Sequence, residues 1–237
     1  MKSIAAKYQE QFNSMNPESV LQLIHEQHPG KFVFSSSMGA EDQVITHMLI
    51  KIPGNPPIFT LDTGRLFYET YDLIEKTNKR YGISIRIVFP DTGRVEEMVG
   101  NKGINLFYQS VEDRRLCCHI RKIEPLQRAL KNHEVWVTGL RREQSPTRHD
   151  LQVAQWDETH RIIKVNPLLE WTEAQVWDYI NTHNIPYNAL HKKGYPSLGC
   201  QPCTRAIMPG EDIRAGRWWW EQPQSKECGL HLSGDKK

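Results

Sequence analysis

The 237-residue sequence predicts an α/β fold with a doubly wound, mostly parallel sheet. Two observations support this prediction. Short runs rich in β-branched and aromatic residues recur along the chain and are apolar on both faces, as buried parallel strands are. Stretches of helical character separate these runs, and strands alternating with helices are typical of doubly wound sheets. Such a sheet binds ligands in the loops at the carboxyl ends of its strands.

The elements follow in chain order. Strands are predicted at residues 31–34, 57–61, 84–89, 134–138 and 161–165. Helices are predicted at residues 42–50, 66–80, 112–131 and 172–181. The last helix begins with a capping box, in which the side chains of Thr172 and Gln175 satisfy backbone N–H groups of the first turn.

One large domain with an extension suits a chain of this length. The α/β domain is assigned to residues 1–205, and residues 206–237, where the periodic pattern fades, form a C-terminal tail. No segment is typical of a secretion signal or of a bilayer span. We therefore expect a cytoplasmic protein with reduced cysteines and no membrane partner.

The basic residues are clustered, although the net charge is only +2 and does not indicate a nucleic-acid partner. Clustered bases in a nearly neutral chain favour a small anionic ligand over a polyanion. The clusters flank the cysteine pairs and one loop between them: Arg114, Arg115, Arg121, Lys122, Arg141, Arg142, Arg148, Arg205, Arg214 and Arg217.

Three polar loops follow predicted strands, at residues 35–42, 62–65 and 139–145. The first, SSSMGAED, places small hydroxyl side chains and a glycine before a helix, an arrangement in which backbone N–H groups and the helix dipole face an anion. It is neither a Walker A loop nor a dinucleotide fingerprint. A serine-rich turn alone is often only a helix cap, so the prediction of a phosphate site depends on all three loops sharing one edge.

Four of the five cysteines occur in two pairs, Cys117 with Cys118 and Cys200 with Cys203. Four thiolates form a soft metal site. We place an iron–sulfur cluster first, because such clusters accept varied spacings. Structural zinc comes second, because it usually takes two C-x₂₋₄-C knuckles. A redox dithiol at the second pair comes third.

The fifth cysteine, Cys228, is the tenth residue counted back from the last residue of the sequence. Its neighbour Lys226 and the nearby His231 favour the thiolate, which is the nucleophilic form. A spare surface cysteine is nearly as good an interpretation on spacing alone.

Together these motifs resemble the assimilatory sulfonucleotide reductases, specifically the iron–sulfur-containing adenylylsulfate (APS) reductases. The resemblance extends from about Phe34 through most of the chain. One departure is Met38, where members of the family often have phenylalanine. The motifs are SSSMGAED at 35–42, TLDTGR at 60–65, CCHIRK at 117–122, VTGLRR at 137–142, GCQPC at 199–203, RAGRWWWE at 214–221 and KECGLH at 226–231.

The resemblance implies a fold of the adenine-nucleotide α-hydrolase-like type and a thioredoxin-dependent reduction of APS to sulfite and AMP. Cys228 would be the nucleophile and would form a thiosulfonate. It also implies a homo-oligomer, either a dimer or a tetramer. The other implied catalytic residues are His231, Lys122, Arg214 and Arg217.

The resemblance also assigns ligands. The [4Fe-4S] cluster would be held by Cys117, Cys118, Cys200 and Cys203. The nucleotide would be held by Ser35, Ser36, Ser37, Gly39, Glu41, Asp42, Leu61, Asp62, Gly139, Arg141 and Arg148.

Three alternatives stay open. The substrate could be 3′-phosphoadenylylsulfate (PAPS), alone or with APS, with Arg65 or Arg86 holding the 3′-phosphate. A more distant alternative is a PP-loop ATP pyrophosphatase, although its Ser-Gly-Gly loop is not visible. The third is a zinc-stabilised binding module without catalysis.

Overall fold

A computed structural model describes residues 1–54, 57–145 and 148–222. Within those ranges, six strands form one sheet in the order β3-β2-β1-β4-β6-β5, with only β5 antiparallel to its neighbour. The predicted fold class is confirmed. The strands are β1 (Phe32–Ser35), β2 (Ile58–Leu61), β3 (Arg86–Val88), β4 (Val135–Val137), β5 (Ala154–Asp157) and β6 (Ile162–Val165).

The helices pack on both faces of the sheet. The helices of the described ranges are α1 (Lys2–Phe12), α2 (Pro17–Gln27), α3 (Ala40–Leu49), α4 (Tyr68–Tyr81), α5 (Thr92–Lys102), α6 (Val111–Cys118), α7 (Glu124–Leu130) and α8 (Glu173–Thr182). One hydrophobic cluster joins the sheet to α1, α2, α3, α4 and α8, and a second joins it to α7. None of these helices is both long and apolar enough to cross a bilayer.

The strand register aligns the carboxyl ends of β1, β4 and β6, whereas β2 begins opposite Phe34 and extends beyond them. Phe34 of β1 is paired with Ile58 of β2 and with Val137 of β4, which is itself paired with Val165 of β6. The carboxyl ends of these strands therefore meet at one edge. The loops that the sequence predicts as ligand-binding leave the sheet from that edge.

Four elements were not predicted from the sequence: α1, α2, α5 and β5. The strand β5 reads Ala-Gln-Trp-Asp, and only its alanine is buried. It lies at an edge of the sheet, where one neighbour supplies its ladder of hydrogen bonds and no apolar pattern is required. The predicted capping box of α8 is confirmed, because Thr172 and Gln175 each accept a backbone N–H of the other.

Candidate active site

The first cysteine pair lies at the end of α6, where the helix widens into a π-helical turn. A π-helical turn, His119–Ile123, separates α6 from α7. Pro125 near the start of α7 has no backbone N–H to donate into the preceding turn, and a wider π turn accommodates that loss. The result is that Cys117, Cys118 and Lys122 all line one cavity.

The second pair faces the same cavity from the other side. Cys200 is the N-cap of a short 3-10 turn, Gln201–Cys203, in which Pro202 is the second residue and Cys203 the last, and both cysteines are buried. All four cysteines carry free thiols. In the described ranges, no three Cys, His, Asp or Glu side chains are close enough to hold a single metal ion. All four predicted ligands nevertheless line one cavity.

The cavity has a cationic side. Lys122 hydrogen-bonds the sulfur of Cys200, and Thr63 Oγ1 lies 3.2 Å from the same sulfur. Burial opposes ionisation of Cys200, but these contacts, together with the charge of Arg217, bring its pKa below the usual value. Burial raises the pKa of Cys203 to about 12. The sulfurs are soft ligands with a charged lysine beside them, which fits an anionic iron–sulfur group.

The loop after β2 connects this cavity to the sheet. Asp62 is buried and accepts hydrogen bonds from the backbone N–H of Gly64 and from the hydroxyl of Tyr71, at 2.7 and 2.9 Å. The guanidinium of Arg121 donates to the carbonyl of Thr63 at 2.7 Å. Asp62 therefore shapes the loop that carries Thr63 to the cysteines, while Leu61 ends the strand just before it.

The serine loop leaves β1 at the same edge. The hydroxyl of Ser35 accepts from the indole N–H of Trp136 at 2.7 Å. The hydroxyl of Ser36 accepts from the backbone N–H of Met38 at 3.1 Å. Met38 has a positive φ of 62° and its side chain is fully buried, so its apolar character is used in the core. Gly39 is the N-cap of α3.

Asp42 closes the serine loop from the first turn of α3. Its carboxylate accepts from the backbone N–H and the hydroxyl of Ser37, at 2.5 and 2.6 Å. Burial raises the pKa of Asp42 to about 7, although the two hydrogen bonds from Ser37 work in the opposite direction. A Cβ at Gly139 would overlap the Asp42 carboxylate. Only glycine therefore allows the loop after β4 to approach this close.

The remaining predicted nucleotide contacts already have protein partners. Arg141 is almost fully buried and bonds Glu41 at 2.9 Å and Glu143 at 3.0 Å. Arg148 hydrogen-bonds Gln144, and its positive charge partly opposes the rise in the pKa of Asp42 that burial causes. The ion pair of Glu41 and Arg141 thus connects α3 to the loop after β4 and fixes these two segments relative to each other.

Of the two predicted arginines of the C-terminal segment, Arg217 lies beside the second cysteine pair. Arg217 donates to the carbonyl of Leu198 at 2.7 Å, and a Cβ at Gly199 would overlap its guanidinium. The backbone N–H of Trp218 donates to the carbonyl of Cys203 at 3.1 Å. Arg214 lies one turn away, and its carbonyl accepts from the backbone N–H of Arg217. Residues 206–222 therefore pack back on the cysteine loop.

Cys228 and His231 lie outside the described residues. The sequence analysis did not assign a role to Thr63, Arg114, Gly199, Trp218 or Glu221, which the structure places around the cysteines. The only available signal was their position inside or beside the quoted motifs.

The edge therefore combines the serine loop with a four-thiol cavity, on a fold that defines a nucleotide-binding class of α/β protein. Residues 31–206 match the phosphoadenosine phosphosulfate reductase domain. The chain belongs to that family.

Two curated relatives are named adenosine 5′-phosphosulfate reductase. The one from Burkholderia cepacia is 51% identical over 91% of this chain and 86% of its own. The one from Allochromatium vinosum is 52% identical over 84% and 78%. A crystal structure of the phosphoadenylyl-sulfate reductase of Candida auris, a phosphate complex, superimposes with a TM-score of 0.74. That chain is 28% identical, over 87% of this chain and 98% of its own.

Proposed function

We propose that this protein reduces adenosine 5′-phosphosulfate to sulfite and AMP, with a thioredoxin-like dithiol as reductant. The observation that carries the proposal is the meeting of two sites at one sheet edge. The serine loop leads into the N-terminus of α3, whose first backbone N–H groups have no partner within the helix and can face a phosphate. The loop after β2 leads from the same edge to the cavity with four thiols and a lysine. The names of the relatives, at about half identity, support the same substrate.

The chemistry divides into two displacements. The Cys228 thiolate would attack the sulfur of the substrate, the sulfur–oxygen bond to the phosphate would break, and AMP would leave with the electron pair. A reductant thiolate would then attack the Cys228 sulfur, releasing sulfite and forming a mixed disulfide. The second reductant thiol resolves that disulfide and restores Cys228, so that two electrons come from the dithiol.

Positive charge at the site must offset the anionic substrate during the first displacement. Lys122 is held against Cys200 at the cavity, and Arg217 is held by Leu198 beside it. These fixed cations would receive the sulfate group. Arg214 and His231 are proposed to join them, from the same segment and from the tail.

The four cysteines are proposed to hold a [4Fe-4S] cluster. Its support is the convergence of four free thiols, with a cationic side, on one cavity. When bound, the cluster would contribute a fixed local field, while electrons for the substrate come from the dithiol. A brown protein with iron and acid-labile sulfide after anaerobic purification is the expected result. A colourless protein with one zinc ion would contradict it.

The preference for APS over PAPS is also a proposal. Of the two bases considered for a 3′-phosphate, Arg86 lies at the amino end of β3 and donates to the carbonyl of Ala129. It is therefore at the wrong edge of the sheet for this role. Arg65 lines the cysteine cavity but already bonds Ile104 and Asn105.

The nucleophile is tested by mass. Incubating the purified protein with APS and no reductant should add one sulfite to Cys228. The Cys228→Ser variant should bind AMP and iron normally and acquire no adduct. Adduct formation or sulfite release by this variant would contradict the assignment.

A further inference from the structure

A buried ion pair joins the helix of the first cysteine pair to the last described turn of the chain. Arg114 of α6 donates to both carboxylate oxygens of Glu221, at 2.8 and 2.9 Å. Their side chains are 0% and 3% exposed. A two-pronged contact between an arginine and a carboxylate fixes orientation as well as distance. The two residues are 107 positions apart, so the pair fixes one segment against another.

Trp218 extends this contact towards the predicted sulfate site. Two guanidinium groups contact its ring, because the Cζ atoms of Arg114 and Arg217 are each 4.7 Å from a Trp218 ring centroid. The side chain is 1% exposed, and its backbone has a positive φ of 42°, which a bulky residue rarely adopts. The surroundings therefore determine this conformation. We call Arg114, Trp218, Arg217 and Glu221 the clamp. It connects α6 to Glu221, which precedes the segment that carries Cys228.

The clamp ends where the segment with the nucleophile begins. Cys228 is seven residues beyond Glu221, so its Cα lies within about 25 Å of the Cα of Glu221 even at full extension. At the other end of the clamp, Arg114 belongs to α6, the helix that carries the first cysteine pair. A shift at Glu221 would therefore move the point from which the segment with Cys228 continues.

We propose that the Arg114–Glu221 pair is a positioning element for catalysis, which fixes the root of the tail against the cysteine-bearing helix. This inference rests on the proposed function, because it takes Cys228 as the nucleophile. Glu221 lies outside the serine loop, so the pair should affect the approach of the thiolate rather than nucleotide affinity. A small misplacement of a reacting group can lower a rate by about 10²-fold.

The test compares two isosteric variants of the iron-loaded, full-length protein. Glu221→Gln removes the buried charge. Glu211→Gln is the matched control, because Glu211 makes a similar two-pronged contact with Arg205 in the same segment, about one-third exposed. Three quantities are measured: AMP affinity by calorimetry, iron content with the visible spectrum, and the single-turnover rate of adduct formation on Cys228.

Glu221→Gln should slow adduct formation by about 10²-fold, with AMP affinity and iron content within about twofold of the wild type. Glu211→Gln should leave all three within about twofold. An unchanged adduct rate in Glu221→Gln would overturn the inference, as would a parallel loss of AMP affinity and iron, which a merely structural role predicts. If Glu221→Gln does not fold, Arg114→Lys is used instead. It keeps the positive charge but loses the two-pronged contact, and the rate of adduct formation should fall by about tenfold. Absence of any adduct in the wild type would instead overturn the proposed function, and the inference with it.

Discussion

The two halves of the candidate active site are built in different ways. The nucleotide half, the loops after β1 and β4 with the start of α3, extends directly from paired strands. The cysteine half combines α6, the π turn, the loop at residues 198–205 and the C-terminal segment, none of which is in the sheet. The first half is shaped by the sheet. The second depends on side chains from distant segments and, we propose, on a cluster.

This difference has a thermodynamic consequence. The sheet buries apolar residues on both faces and closes its own backbone hydrogen bonds. The hydrophobic cluster of the cysteine half is small and includes Cys200 and Cys203 themselves. A bound metal group contributes its binding free energy to folding. Loss of that group should therefore loosen one half and spare the other.

The largest effect is expected from removing a ligand. Cys203→Ser should lose most of its iron and nearly all sulfite formation, because a four-thiol site lacks one ligand. Hydrogen exchange should rise in residues 106–122 and 198–222 but stay unchanged in residues 32–42 and 135–141. Equal exchange in both halves would show that they are not independent, and full iron content would contradict the ligand assignment.

A smaller effect is expected from removing one cation of the cysteine half. Lys122→Ala should lower turnover by about 10²-fold, comparable to the loss of one preorganised donor. Iron content should stay intact, because the cysteines remain. Lys131→Ala, an exposed lysine at the end of α7, is the control. Full turnover by Lys122→Ala would remove the electrostatic role assigned to it.

The next effect belongs to the nucleotide half. Gly139→Ala should weaken AMP binding by about tenfold, because a Cβ there overlaps Asp42, and overpacking costs ~1–3 kcal/mol. Iron content should not change. Gly100→Ala is the control, because a Cβ at Gly100 meets no atom within 4 Å. Normal AMP affinity in Gly139→Ala would show that this approach is not part of the nucleotide site.

The smallest effect on the reaction itself is expected from pH, which acts here on stability. Burial raises the pKa of Asp42 from 3.8 to about 7, so the folded state binds its proton more tightly than the unfolded state does. The resulting stabilisation is fully present below about pH 4 and is lost as the pH rises towards 7. Denaturant unfolding of wild type and Asp42→Asn should show a stability difference that changes over this window, by about 4 kcal/mol at most. A difference independent of pH would contradict the shifted pKa.

The two halves also differ in what the sequence could predict. The strands with the loops after them follow from local apolar runs, so five strands and the loops at their carboxyl ends were placed correctly. The helices α1 and α2 were missed although signals exist, such as Asn16 capping α2 before Pro17 and the spacing of Ala5, Tyr8 and Phe12. Polar β5 has no such signal.

The cysteine half shows the limit of local patterns. The sequence identified the cysteines and their bases, because these occur as short motifs. It could not pair Arg114 with Glu221, since 107 positions separate them and neither lies in a periodic pattern. It also could not show that Asp62 and Arg141 are bound within the protein.

The measurement that tests the central claim most directly is sulfite release by the iron-replete protein with reduced thioredoxin, with APS and PAPS in parallel. The two halves are proposed to serve one reaction. Sulfite should therefore form from APS, faster than from PAPS, and should cease when the iron is removed. No sulfite from either nucleotide, or an undiminished rate in the iron-free protein, would contradict this account.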